Sequence, residues 1–164
     1  MVKENPEVYE RNVALICGNL ANLYSNTNRM KEAEEYYQKT LEIYCRLANE
    51  NPEAYEGNVA HTCNNFGTLY HKINRMKEAE ELYQEALEIY RKLARENLGA
   101  YEKDVARMCY NLGLFYRDTN RLRVAEEYYK EALEIYRKLA EKNPEIYDGY
   151  VTATYYKLIS MPIE

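Results

Sequence analysis

Apolar residues recur along the chain at helical spacings of three and four, on two separate stripes within every 46 residues. Val59, Cys63, Phe66, Gly67 and Tyr70 form one stripe, the pattern of an α-helix with a single buried face. Ala79, Tyr83, Ala86, Leu87 and Tyr90 form the next. The first helix of this pair is expected to end near Asn74, with Asn28 and Asn120 in the same place in the other pairs. Asparagine tolerates the left-handed conformation that ends helices. The second helix is expected from about Met76 to Arg95. Asn58 reads as the N-cap of the first helix, with Asn12 and Asp104 as its counterparts, because a short polar side chain accepts from the free N–H groups of a first turn. Proline in Asn-Pro-Glu ends the preceding helix and suits the first position of a new one, so a short turn through Tyr55 is expected before Asn58. No strand pattern competes.

The stripes belong to a repeat. Asn5-Pro6-Glu7 returns at Asn51 and at Asn143, with Asn97-Leu98-Gly99 as a degraded copy between them. Arg29 to Glu35 returns unchanged at Arg75 to Glu81, and Glu85 to Ala94 is identical to Glu131 to Ala140. The expected organisation is one repeat domain over residues 1–164. Its repeats run over about 5–50, 51–96 and 97–142, followed by a half-repeat over 143–164. That half-repeat reads as a cap on the last apolar face, or as the point where a longer array was cut; Ile159 in the glycine position favours the cap. Gly67 and Gly113 oppose the small Ala79 and Ala125, which allows close helix crossing, while Tyr70 and Tyr83 fill the space between layers.

Phe66-Gly67-x-x-Tyr70 with Ala79, Tyr83 and Ala86 resembles the tetratricopeptide signature. Leu20-Ala21-x-x-Tyr24 with Ala33 and Tyr37 resembles it too, as does Leu112-Gly113-x-x-Tyr116 with Ala125, Tyr129 and Ala132. The long unit and the string from Val59 to Tyr70 are similar to the kinesin-light-chain-like subgroup. The resemblance implies an all-α fold, an α-solenoid (superhelix) of antiparallel helix–turn–helix repeats. It also implies that first helices line a concave groove that holds a protein or peptide. Asn19, Asn65 and Asn111 match the groove asparagines of that subgroup. The clamp for chaperone tails is matched only at Asn22, Asn65 and Arg107, with Gly18 and Asn111 where that family places basic residues, so clamp activity is not expected.

Composition narrows the chemistry. With 30% charged residues and no apolar run near 18 residues, no membrane span is expected. The amino terminus lacks a basic segment followed by an apolar stretch, so no secretory signal is expected. A net charge of −5 argues against nucleic acid. Cys17, Cys63 and Cys109 share one repeat position, which suits core packing as reduced thiols in the cytoplasm better than disulfide pairing. Cys45 aligns with Arg91 and Arg137 and is expected to be partly exposed.

No enzyme is expected, and no cofactor or metal. His61 and His71 stand ten residues apart, whereas helical metal pairs need three or four. The repeated Glu34-Glu35, Glu80-Glu81 and Glu126-Glu127 pairs suit a solvated helix face. Most of the 19 tyrosines recur at repeat positions, which points to packing with the hydroxyl at a polar edge.

The stripe beside each first helix's core face supplies the candidate groove. It comprises Asn19, Asn22, His61, Asn64, Asn65, Thr68, His71, Lys72, Arg107, Asn111, Leu114 and Arg117. Asparagine offers donor and acceptor together, which suits the main chain of an extended peptide; the same asparagines also suit a bridge between adjacent helices. Lys72, Arg107 and Arg117 against Asp118 make the stripe weakly basic, so the expected partner is an extended, acidic protein or peptide segment. The alternative is a self-associating structural module with no groove ligand, a weak homo-oligomer.

Overall fold

The computed structural model describes residues 6–97 and 99–161. Asn5, at the start of the first repeat, Leu98, and Pro162 to Glu164 lie outside the described residues. Among those described there are seven helices and no strand: α1 (Pro6–Asn26), α2 (Met30–Glu50), α3 (Pro52–Lys72), α4 (Met76–Glu96), α5 (Glu102–Asp118), α6 (Leu122–Lys142) and α7 (Pro144–Ile159). The chain divides into two compact units with the boundary between Ile89 and Tyr90, inside α4.

Two kinds of connection set this order. At Asn28, Asn74 and Asn120 the backbone takes φ of 64°, 64° and 58°. The next N–H in each case folds back on the helix: Arg29 onto Tyr24, Arg75 onto Tyr70 and Arg121 onto Tyr116, at 2.7–2.8 Å. These are the six-to-one bonds of a left-handed C-terminal cap, and they turn the chain into an antiparallel hairpin. The other connection is a single residue. Asn51 separates α2 from α3 and Asn143 separates α6 from α7, each followed by proline at the first helical position.

The helix starts differ from the expected ones. α3 begins at Pro52, so Tyr55 and Asn58 lie within it, and Asn12 likewise lies within α1. Asn51 occupies the cap position without a side-chain hydrogen bond. Proline has no N–H to satisfy and its φ is already helical, so the helix starts there without a capping side chain. Where Asn-Pro-Glu has become Asn97-Leu98-Gly99, Gly99 takes φ of 88° and the helix starts only at Glu102. Asp104 is then the third residue of α5 and not its cap.

In the first unit, Ala21, Ala33, Tyr37, Phe66 and Leu69 form a buried cluster. The Tyr37 and Phe66 rings stack at 5.5 Å, and Phe66 meets Tyr70 at 4.4 Å. A Cβ on Gly67 would stand 3.0 Å from Tyr83 Cδ1 and 3.3 Å from the Ala79 carbonyl oxygen. In the second unit, a Cβ on Gly113 would lie 2.7 Å from the Tyr129 ring. Glycine in mid-helix costs about 1 kcal/mol against alanine. Each buried tyrosine that the close crossing admits recovers more than that, roughly 1.5–3 kcal/mol for a large side chain.

Cys63 and Cys109 are fully buried. Cys17 is only half-buried, against expectation, and Cys45 is half-buried, as expected. The residue type is the same at the three repeat positions, so burial here is decided by the neighbouring helix. α1 has none among the described residues on the side where α2 covers α3.

Candidate functional site

In the first unit, α1, α2 and α3 enclose a cavity of about 100 Å³. Asn19 and Asn22 enter it from α1, and His61 and Asn65 from α3. These four expected site residues are brought together. Tyr37, Thr40 and Tyr44 of α2 also line it, with Asn58 of α3. The sequence pattern does not mark those four as site residues. The α2 residues belong to a second helix, where repeat position alone signals only core, and Asn58 was assigned to a cap.

The polar groups of this cavity are already connected. Asn64, itself buried, donates from Nδ2 to Asn65 Oδ1 at 3.0 Å. Asn65 Nδ2 lies 3.1 Å from His61 Nε2. Behind them, the Thr68 hydroxyl donates to the Asn64 carbonyl oxygen at 3.0 Å and accepts from the Tyr83 hydroxyl at 3.1 Å. On α1, Asn22 Oδ1 accepts from the Tyr37 hydroxyl at 2.6 Å. Burial pushes the Tyr37 phenol up to about 12, so it stays a donor at neutral pH. Asn22 and Asn65 are thereby oriented before any ligand arrives.

Thr68, His71 and Lys72 follow along α3, outside the cavity lining. Lys72 Nζ donates to the Ser25 carbonyl oxygen at 2.8 Å, which caps the end of α1. That ammonium is a tie between two first helices.

In the second unit, Arg107 lines a cavity of about 420 Å³ with Lys103, Asp104, Tyr136, Ile146, Tyr147 and Tyr150. Arg107, Tyr136 and Tyr150 stand 92 residues, two repeats, after Leu15, Tyr44 and Asn58 of the first cavity. Both units therefore place a cleft at the same repeat position. Arg107 Nη2 pairs with Asp104 Oδ1 at 2.9 Å, while its buried Nε has no hydrogen-bond partner among the described residues. Asn111, Leu114 and Arg117 lie further along α5, beyond this cavity's lining. Arg117 pairs with Asp118 at 3.0 Å. Of the three cations counted in the stripe, then, one holds a backbone carbonyl and two hold aspartates.

Leu114 stands where the earlier repeats have Asn22 and Thr68. Its apolar side chain offers no acceptor to Tyr129, the counterpart of Tyr37 and Tyr83. The Tyr129 hydroxyl is buried without a hydrogen-bond partner among the described residues.

No group of three or more His, Cys, Asp or Glu residues that could hold a metal ion occurs among the described residues. No described helix is long and apolar enough to cross a membrane.

Comparison with known proteins supports the geometry. Two tetratricopeptide repeat family descriptions match, over residues 11–92 and 105–144. Among solved structures, the chain is similar to BtubC (BKLC) from P. vanneervenii, with 28% identity and a TM-score of 0.73. That match covers 96% of this chain and 57% of the other, so this chain spans little more than half of that protein's length. The N-terminal domain of stress-induced protein-1 from C. elegans shares the fold at 20% identity and a TM-score of 0.59, over 83% of this chain and 95% of that domain. Curated protein sequences include no match.

Proposed function

We propose, for a chain that belongs to the tetratricopeptide repeat family, the role of a cytoplasmic adaptor or scaffold that grips a peptide or protein segment along its first helices. Tetratricopeptide domains mediate protein–protein interactions in general and are usually non-enzymatic scaffold modules. The observation that carries the reading is the pre-oriented asparagine pair of the first unit. Asn22 and Asn65 line one cavity and are each held by a neighbour, at 2.6 Å from Tyr37 and 3.0 Å from Asn64. Side-chain amides fixed in this way lose little further freedom when they bond a ligand's main chain.

The ligand in this proposal is extended and carries acid. Support for the acid comes from the second unit, where Lys103 and Arg107 outnumber Asp104 on the cavity lining. Lys72, Arg107 and Arg117 are engaged already, so the surplus positive charge on this lining is that of Lys103. Selection of a displayed random-peptide library against the whole chain tests the reading. Enriched peptides are expected to carry Asp or Glu and to lose binding to Asn65→Ala. Enrichment of peptides that bind Asn65→Ala equally would contradict it.

A second reading, self-association through an end face, has support in α7. Tyr155, Tyr156 and Ile159 are all exposed there. Sedimentation across a concentration series separates the two, since a groove binder stays monomeric and a self-associating module does not.

A further inference from the structure

The two clefts at the same repeat position differ in chemistry. Asn19, Asn22, Asn58 and Asn65 line the first. Among the described residues, no side-chain amide lines the second, and Tyr136, Ile146, Tyr147 and Tyr150 form most of its wall. The Tyr150 ring stacks on Tyr136 at 5.2 Å and meets Tyr147 at 6.2 Å, tilted by 46°. Ile146 lies four residues before Tyr150, on the same side of α7.

These apolar groups stand in the open: Ile146 is 54% exposed and Tyr150 is 53% exposed. Their exposure does not come from the place of α7 in the chain. The inner repeats carry Ala54 and Ala100 in place of Ile146, and Asn58 and Asp104 in place of Tyr150. Ala54, Ala100 and Asn58 are exposed as well, although a further first helix follows each of them. These positions stay open inside the array, and α7 alone fills both with large apolar side chains.

The polar groups of the second cleft are one-sided. Lys103 and Arg107 can only donate. The one carboxylate of the lining, Asp104, has a side chain 16% exposed and is held by Arg107 at 2.9 Å. A ligand's carbonyl oxygens therefore find donors there, while its N–H groups meet only phenols and a committed carboxylate. Proline is the residue without an N–H, and proline-rich segments dock in aromatic-lined grooves. A polyproline II segment is also extended before it binds, so it loses little freedom in a half-open cleft.

We propose that the second-unit cleft binds a proline-rich segment of a partner protein, with proline rings against Tyr147 and Tyr150 and an acidic residue beside Lys103. The proposal rests on the reading of the chain as a peptide binder, and not on Asn22 or Asn65.

The probe is a fluorescent oligoproline peptide flanked by glutamates, titrated onto the whole chain by anisotropy. Saturable binding is expected. Ile146→Ala and Tyr150→Asn each install the residue that the second repeat carries at that position, which an α-helix of this array already accommodates. Each should weaken binding at least about tenfold, or about 1.4 kcal/mol. Lys103→Glu should weaken it too, and replacing the peptide's prolines by alanine should abolish it. Tyr156→Ser, at an exposed position outside the lining, should leave it unchanged. If Tyr150→Asn lowers the melting temperature, Ile146→Ala, which takes no ring from the stack, decides alone. Absence of saturable binding, equal binding of the alanine peptide, or indifference to the α7 variants overturns the proposal. Failure of oligoproline to bind, with library-selected acidic peptides still dependent on Asn65, would sink this proposal and leave the reading of the first unit standing.

Discussion

The Tyr37 hydroxyl donates a 2.6 Å hydrogen bond to Asn22 Oδ1, joining the second helix of the first repeat to its first helix. Tyr83 repeats the bond to Thr68 at 3.1 Å. In the third repeat Leu114 replaces the acceptor, and the Tyr129 hydroxyl is buried without a partner among the described residues. Removing one partner of a buried bond costs about 1 kcal/mol or more, whereas removing an unsatisfied hydroxyl costs nothing comparable. Tyr37→Phe and Tyr83→Phe are expected to lower stability by about 1 kcal/mol each, and Tyr129→Phe to leave it unchanged or slightly raised. Urea unfolding monitored by circular dichroism distinguishes the three. Equal losses at Tyr37 and Tyr129 would contradict the assignment.

The glycines form a graded series. A Cβ on Gly18 would meet Thr40 Cγ2 at 3.5 Å, an ordinary contact. On Gly67 it would meet Tyr83 at 3.0 Å, and on Gly113 it would meet Tyr129 at 2.7 Å. Alanine gains up to about 1 kcal/mol of helix propensity at each. Gly18→Ala should therefore stabilise, Gly67→Ala should fall near neutral, and Gly113→Ala should destabilise by about 1–3 kcal/mol through overpacking. Thermal melts of the three variants check the order, and Gly67→Leu should be worse than Gly67→Ala.

Thiol accessibility should split the cysteines two and two. Cys17 and Cys45 are half-buried, and Cys63 and Cys109 are buried. Burial raises the Cys63 and Cys109 thiols far above the usual range, which removes the reactive thiolate as well as access to it. Burial, with Glu85 second, also raises Cys45, so its alkylation should need a more alkaline pH than a free thiol. Mass spectrometry after native treatment with a bulky reagent should find label on Cys17 and Cys45 only. Label on Cys63 or Cys109 before unfolding would contradict the packing.

The repeat period, the helix pairs and the left-handed asparagines were legible because each is written locally, in spacing and residue type. Helix starts were misread at Asn12, Asn58 and Asp104, because proline at the first helical position removes the need for the side-chain cap that polar residues advertise. Cys17 was misread because burial belongs to the neighbouring helix and not to the position. At the candidate site, Asn19, Asn22, His61 and Asn65 were legible as a shared face. The bond from Asn64 to Asn65, and the contributions of Tyr37, Thr40 and Tyr44, depend on how separate helices meet. No spacing along one helix reveals them. The pair of Arg107 with Asp104 follows from α5 starting at Glu102, which puts Asp104 inside the helix one turn before Arg107.

Capture of a ligand's main chain by Asn22 and Asn65 of the first unit is open to direct test by calorimetry. A library-selected acidic peptide is titrated into the parent chain and into the Asn22→Ala, Asn65→Ala double variant, with the helical signal verified for both. Loss of hydrogen bonds to a peptide backbone predicts at least a tenfold weaker affinity, about 1.4 kcal/mol or more. Equal affinity for the two proteins would contradict the account and move the binding surface elsewhere.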